Sequence, residues 1–138
     1  MRIYQGDYPD DWDAIAKRVK DEAGNKCVRC GHPHDTPAGY MLTVHHLDGD
    51  KANGAWWNLA ALCQRCHLTI QAKVVMPRTW MFEHTPWFRP YVAGYYAHLF
   101  ALREDRLWVE RHAGELIHLG QGDGLLLPAL LASQEETT

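Results

Sequence analysis

Apolar residues near the start of the chain recur every three or four positions, which is the spacing of one face of an α-helix. These residues are Trp12, Ile15, Ala16, Val19 and Ala23. The pattern predicts a helix over residues 11–23. Asp10 is the expected N-cap, with Asp13 as its N3 partner, and Gly24 suits the C′ position because glycine adopts a left-handed backbone freely.

The pattern changes to a β-type one in the middle of the chain. Residues 40–47 are rich in strand-forming side chains and predict a first strand that ends at a pair of histidines. Residues 48–54 are a turn by composition, and residues 58–62 predict a second strand. A helix is then expected to begin near residues 63–66 and to run towards residue 74.

A longer helical pattern follows Pro77, which ends the preceding helix. Thr85 followed by proline suits a helix start, although Pro90 indicates that the helix begins nearer Phe88. The apolar stripe consists of Phe88, Tyr91, Val92, Tyr95, Leu99 and Leu102. Such a stripe is typical of a helix that buries one face in a core, so we interpret it as structural.

Length and composition predict one globular domain over residues 1–138, since 46% of the residues are hydrophobic and 22% are charged. Residues 1–20 contain no apolar signal-peptide core, and no stretch is long and apolar enough to span a membrane. We therefore expect a cytoplasmic protein without a membrane partner. In that compartment cysteines are more suited to metal binding than to disulfides. The sequence does not indicate an oligomeric state.

Charge is unevenly distributed around a formal net value of −3. Residues 14–92 carry ten Lys or Arg against six acids, whereas residues 93–138 carry three Arg against seven acids. The central segment is mildly basic, which permits contact with phosphate groups but does not indicate tight, non-specific binding to DNA. Lys51, Arg65 and Lys73 are the candidate phosphate contacts.

The cysteines form two Cys-x-x-Cys pairs, Cys27 with Cys30 and Cys63 with Cys66. Four thiolates in two such pairs predict a tetrahedral structural Zn2+ site. The 32 residues between the pairs exceed the roughly 15–20 of a simple zinc ribbon, so the insert must contain structure of its own.

That insert contains the adjacent pair His45 and His46, followed by Asn58, and His67 comes directly after the last cysteine. The arrangement resembles the HNH endonuclease family, in the form whose ββα-metal motif is held by two zinc knuckles. The resemblance implies a small α+β fold with a zinc-clamped, treble-clef-like ββα-metal core. The resemblance covers residues 27–67, about a third of the chain, and we expect residues 27–75 to form that core. The residue pattern, and not the resemblance, predicts the N-terminal helix before it and a helical, aromatic-rich extension with an acidic tail over residues 76–138.

Phosphodiester hydrolysis requires a base for the attacking water and support for the departing 3′ oxygen, and neutral imidazole and a divalent metal suit these tasks. By resemblance His46 is the general base, and Asn58 holds the adjoining loop and orients that base. His45 and His67 are by the same resemblance the protein ligands of a catalytic divalent metal, namely Mg2+, Mn2+, Ni2+ or Zn2+. The expected function is metal-dependent cleavage of DNA. The alternative is a non-catalytic zinc-binding adaptor for nucleic acid or protein.

Overall fold

The computed structural model describes residues 8–70 and 86–135 of the chain. The chain divides into two compact units, Met1–Pro77 and Arg78–Thr138. The expectation that residues 1–138 form a single domain stays a prediction, as does the division at residue 75.

The first element is helix α1, Trp12–Glu22, close to the predicted range. The predicted N-cap at Asp10 is wrong, since Asp11 occupies that position with φ −95° and ψ 22° and makes no side-chain cap hydrogen bond. An effective N-cap residue is usually extended. The expected role of Gly24 is confirmed, because its φ is +69° and its amide donates to the Asp21 carbonyl after the last turn.

Two antiparallel strands follow, β1 (Leu42–His46) and β2 (Leu59–Cys63). β1 begins two residues later and ends one residue earlier than the sequence predicts, and β2 is shifted by one residue towards the C-terminus with its length unchanged. Tyr40 instead forms an isolated antiparallel β-bridge with Asp35, to which its amide and its carbonyl both bond. Asn58 ends a short 3-10 turn, Trp56–Asn58. Every residue of β2 is buried, which explains its continuous apolar sequence.

Helix α2, Gln64–Ile70, begins directly after β2. The order β1, β2, α2 therefore places two strands and a helix in immediate succession, and the predicted small α+β fold with a ββα core is confirmed. The expected continuation of this helix towards residue 74, the break at Pro77 and the cap at Thr85 lie outside the described residues.

The second unit contains only helices among its described residues. These are α3 (Arg89–Leu99), α4 (Arg106–Arg111), α5 (Ala113–Gly120) and α6 (Leu127–Ser133), with a short 3-10 turn before α6. Helix α3 has its N-cap at Phe88 and a proline in its first turn, as Pro90 indicated. The Trp108 indole donates to the Ser133 carbonyl at 3.1 Å, which ties α4 to the end of α6.

No helix within residues 8–70 and 86–135 combines the length and the apolar character needed to cross a bilayer. The cytoplasmic location expected from the sequence stays a prediction.

Candidate functional site

The four cysteines meet at one point of the N-terminal unit. Their sulfur atoms all lie within 4.8 Å of one another, and these residues are the one group of three or more metal-binding side chains that converge in the described part of the chain. The Sγ atoms of Cys30 and Cys63 are 3.8 Å apart, which is about the spacing of two thiolates on a tetrahedral zinc ion. The cysteines are thus placed to hold a metal ion, as their spacing predicts.

Each pair is positioned by its own turn. In the first pair the Gly31 amide donates to the Cys27 carbonyl at 2.9 Å, and the turn needs a φ of +80° at Gly31, which glycine adopts without strain. The Val28 amide then donates to the Ala61 carbonyl of β2 at 2.9 Å. The second pair spans the end of β2 and the first turn of α2, so the hydrogen bond of Val28 to β2 holds the first pair beside the second.

Burial opposes ionisation of the thiols of Cys27, Cys30 and Cys66. It raises the pKa of the Cys66 thiol to about 12, although the Arg29 guanidinium, 3.3 Å from the sulfur, acts in the opposite direction. Burial also acts to raise the pKa of Cys27, but backbone amides outweigh it and hold the pKa at about 7. Four clustered thiolates therefore require a compensating cation, and a soft ion such as zinc fits this donor set.

A cavity of about 230 Å³ lies at the end of β1. It is lined by Tyr8, Val44, His45, His46, Gly49, Lys51 and His67. The structure therefore brings together the three histidines that the sequence singles out, and it adds a lysine to them.

His45 and His67 lie beside each other in this cavity, with their ring centroids 4.5 Å apart. Burial lowers the pKa of His45 to about 4, and the neighbouring His67 and His46 add to this effect. Burial also lowers the pKa of His67. Both imidazoles are accordingly neutral at pH 7, which is the form that binds metals. Two neutral imidazoles side by side fit a divalent cation and leave its other coordination positions open.

His46 has different neighbours, because adjacent strand residues point to opposite faces. The residue is only 8% exposed, and its ring stacks on Trp12 of α1, with ring centroids 4.8 Å apart. Burial lowers the pKa of His46, and the carboxylates of Asp48 and Asp50 oppose that shift. Its Nε2 atom is buried and has no hydrogen-bond partner among the described residues. A neutral, unpaired ring nitrogen is able to accept a proton.

Asn58 is completely buried and organises the loop between the strands. Its Oδ1 accepts from the Asp48 amide at 2.8 Å. Its Nδ2 donates to Asp48 Oδ1 at 2.8 Å and to the Asn53 carbonyl at 3.0 Å. The Asn58 carbonyl accepts from the Leu47 amide at 2.8 Å. Four hydrogen bonds from one residue therefore fix the chain immediately after His46.

Sequence reasoning missed Asp48, which completes this network. Its Oδ1 also accepts from the Asp50 amide at 2.8 Å, and its Oδ2 accepts from the Asn53 side chain at 2.7 Å. It missed Trp12 as a contact of His46 as well. The composition of residues 48–54 indicates a turn but not this network, and no local pattern connects a helix near residue 12 with a histidine more than thirty positions later.

Of the three candidate phosphate contacts, the two that the structure describes have different surroundings. Lys51 lines the cavity, with Nζ 4.8 Å from the centroid of the Tyr8 ring. Arg65 instead packs over the ring of Tyr40, at 4.5 Å, and donates to the Ala38 carbonyl at 3.1 Å. Lys73 lies outside the described residues. Lys51 is thus the cation that the described structure places beside the histidines.

Comparison with known proteins confirms the resemblance stated above. Residues 27–73 match the HNH endonuclease family, and this range includes all four cysteines, the three cavity histidines and Asn58. The chain is also 35% identical over 60 residues to the Zorya protein ZorE of Escherichia coli, an alignment that covers 44% of this chain and 16% of that protein. The chain thus spans only about a sixth of this curated relative. No solved structure matches it.

Proposed function

We propose that this chain is a metal-dependent endonuclease that hydrolyses DNA phosphodiester bonds in the cavity at the end of β1. The observation that carries the proposal is that His45, His46 and His67 line one cavity together with Lys51. The match of residues 27–73 to HNH endonucleases supports a nuclease-type activity.

In this proposal His46 is the general base. Its Nε2 atom has no hydrogen-bond partner among the described residues, so its lone pair is not already engaged. Because this atom is buried, the role requires that the attacking water reach it from the cavity that His46 lines. Burial keeps the imidazole neutral, and a neutral imidazole is the competent form of such a base. Stacking against Trp12 holds the ring in one orientation.

His45 and His67 are the proposed ligands of the catalytic divalent cation. Bound there, the cation would supply Lewis-acid stabilisation of the phosphate and of the departing 3′ oxygen. The protein's contribution is to present two neutral imidazoles 4.5 Å apart and to leave the remaining side of the cavity open to substrate and water.

Two other parts of the unit have supporting roles. The four cysteines hold a structural zinc ion next to α2, which carries His67. Asn58 fixes the loop after His46 through Asp48. Neither group performs chemistry, but both restrict the movement of a catalytic histidine, and a site must be rigid for reacting groups to stay aligned.

Lys51 is the proposed phosphate contact inside the cavity. Replacing it by alanine is expected to weaken DNA binding similarly for all sequences. The slope of log affinity against log salt should become shallower by about 0.9, the contribution of one phosphate contact. Fluorescence anisotropy with two unrelated duplexes across a salt series measures both quantities.

Lys17→Ala is the matched control for Lys51→Ala. It removes the same charge, but Lys17 lies on the exposed face of α1, where it pairs with Asp21 at 2.7 Å. Affinity and salt slope should stay at their wild-type values in this variant. If the two variants behave alike, the cavity does not contact phosphate through Lys51.

The proposed function is tested by treating the zinc-loaded protein with a mild chelator and incubating it with supercoiled plasmid. Cleavage is expected after addition of Mg2+, Mn2+ or Ni2+ and not in the chelator alone. A protein that binds the plasmid but cleaves it with none of these ions would instead be a non-catalytic zinc adaptor.

A further inference from the structure

We propose that Thr43 is a positioning residue for His67. Its hydroxyl holds the imidazole as the Nδ1–H tautomer and thereby reserves the Nε2 lone pair for a divalent cation. The inference rests on the proposed function, because it gives His67 its role as ligand. It adds a residue that neither the sequence analysis nor the family match assigns.

The hydrogen bonds determine the tautomer. Thr43 Oγ1 lies 2.8 Å from the Leu62 carbonyl oxygen and 3.1 Å from His67 Nδ1. A carbonyl oxygen only accepts, so the single hydroxyl proton of Thr43 is donated to Leu62. The hydroxyl oxygen must then accept from His67, and this requires a proton on Nδ1. A neutral imidazole has one N–H, so Nε2 carries the lone pair.

The fold keeps these atoms in place. Thr43 lies opposite Leu62 in the register of β1 and β2, and its β-branched side chain has few χ1 alternatives. The His67 ring is in addition packed against His45. The hydroxyl therefore meets the ring from a fixed position on the strand, and it links the orientation of a residue on α2 to the sheet.

The test compares two substitutions at this position. Thr43→Val keeps the branched shape and removes the hydroxyl, whereas Thr43→Ser keeps the hydroxyl and removes the methyl group. Thr69→Val is the matched control, because Thr69 is an exposed residue of α2 whose hydroxyl donates to the Arg65 carbonyl at 2.8 Å. Zinc content and the far-UV circular dichroism spectrum establish that each variant is folded.

The first readout is the imidazole 15N spectrum of the zinc-loaded protein before any other metal is added, with the His67 signals assigned through His67→Gln. The wild type, Thr43→Ser and Thr69→Val should show Nδ1 protonated and Nε2 unprotonated. Thr43→Val should shift the population towards the Nε2–H form. A wild-type spectrum with Nε2 protonated overturns the proposal, whatever the variants do.

The second readout is a Mn2+ titration followed by electron paramagnetic resonance of the free ion. Mn2+ is suitable because it is the weakest competitor for thiolate sites among the divalent first-row ions. Loss of a partner that orients a ligand typically weakens metal affinity by about 10–100-fold. That weakening is expected for Thr43→Val, with near wild-type affinity for Thr43→Ser and Thr69→Val.

The outcomes separate this inference from the proposed function. If the wild type binds Mn2+ and Thr43→Val binds it equally well with an unchanged tautomer, Thr43 has no positioning role and the proposed function is unaffected. If the wild type binds no Mn2+ at the histidines, the proposed function fails, and the role of Thr43 in metal binding fails with it. Weak binding in Thr43→Ser together with near wild-type binding in Thr43→Val would indicate that the methyl group acts by packing, which also overturns the proposal.

Discussion

Replacement of His46 by alanine is expected to lower the rate of DNA cleavage by about 10²–10⁴-fold, the usual contribution of a general base, without loss of the catalytic metal. The imidazole of His46 contacts Trp12 rather than the His45–His67 pair. Its removal should therefore abolish proton abstraction and leave the proposed ligands in place. Single-turnover cleavage at saturating Mn2+, together with a Mn2+ titration, measures the two properties separately.

His45→Ala and His67→Ala are the contrasting variants. Each removes a proposed ligand, so each should weaken Mn2+ binding, and excess metal should partly restore cleavage. Neither should release the structural zinc, which the four cysteines hold. His46→Gln retains most of the volume of the buried ring and tests whether a loss in His46→Ala comes from the cavity that alanine leaves.

Particular results would contradict these roles. If His46→Ala loses Mn2+ while His45→Ala keeps it, the assignments of ligand and base must be exchanged. If all three alanine variants cleave as fast as the wild type, the cavity is not the active site.

Cys63→Ser is expected to have the largest effect on stability. Cys63 is fully buried at the end of β2, and its sulfur lies within 4.8 Å of the other three. Structural zinc sites of this type supply about 10–16 kcal/mol of apparent binding free energy at neutral pH, and binding is coupled to folding. Loss of one buried ligand should therefore release zinc and unfold residues of the N-terminal unit.

Zinc analysis and thermal unfolding followed by circular dichroism provide the measurement. His67→Ala is the appropriate control, because His67 directly follows the zinc ligand Cys66 in α2 but is not itself one of the four cysteines. This variant should keep zinc and a near wild-type melting temperature. A Cys63→Ser protein that melts with the wild type would contradict the prediction. So would metal-free wild-type protein that stays folded with four free thiols.

The features that depend on short-range pattern could be predicted from the sequence. The two Cys-x-x-Cys pairs gave the cluster of four sulfur atoms, since each pair is one local turn. The switch from helical to strand-like spacing gave the order α1, β1, β2, α2. The role of Asn58 in the loop came from the family resemblance and not from a local pattern, and the structure records four hydrogen bonds from Asn58 to residues 47, 48 and 53.

Element boundaries and contacts between distant residues could not be predicted. The N-cap moved from Asp10 to Asp11 because a turn formed by the Trp12 amide and the Pro9 carbonyl precedes the helix. The Thr43 hydroxyl contacts His67 only because α2 packs near β1, which places Thr43 Oγ1 3.1 Å from His67 Nδ1. Such contacts depend on the packing of whole elements, which sequence periodicity does not specify.

The most direct test of the account compares plasmid cleavage by the wild type and by the triple variant His45→Ala/His46→Ala/His67→Ala, both zinc-loaded and purified identically. All four cysteines remain in the variant, so its zinc content and fold should match the wild type. The account predicts that the wild type converts supercoiled DNA in the presence of Mn2+ and that the triple variant does not. Equal cleavage by both proteins, or no cleavage by the wild type with Mg2+, Mn2+ or Ni2+, would contradict it.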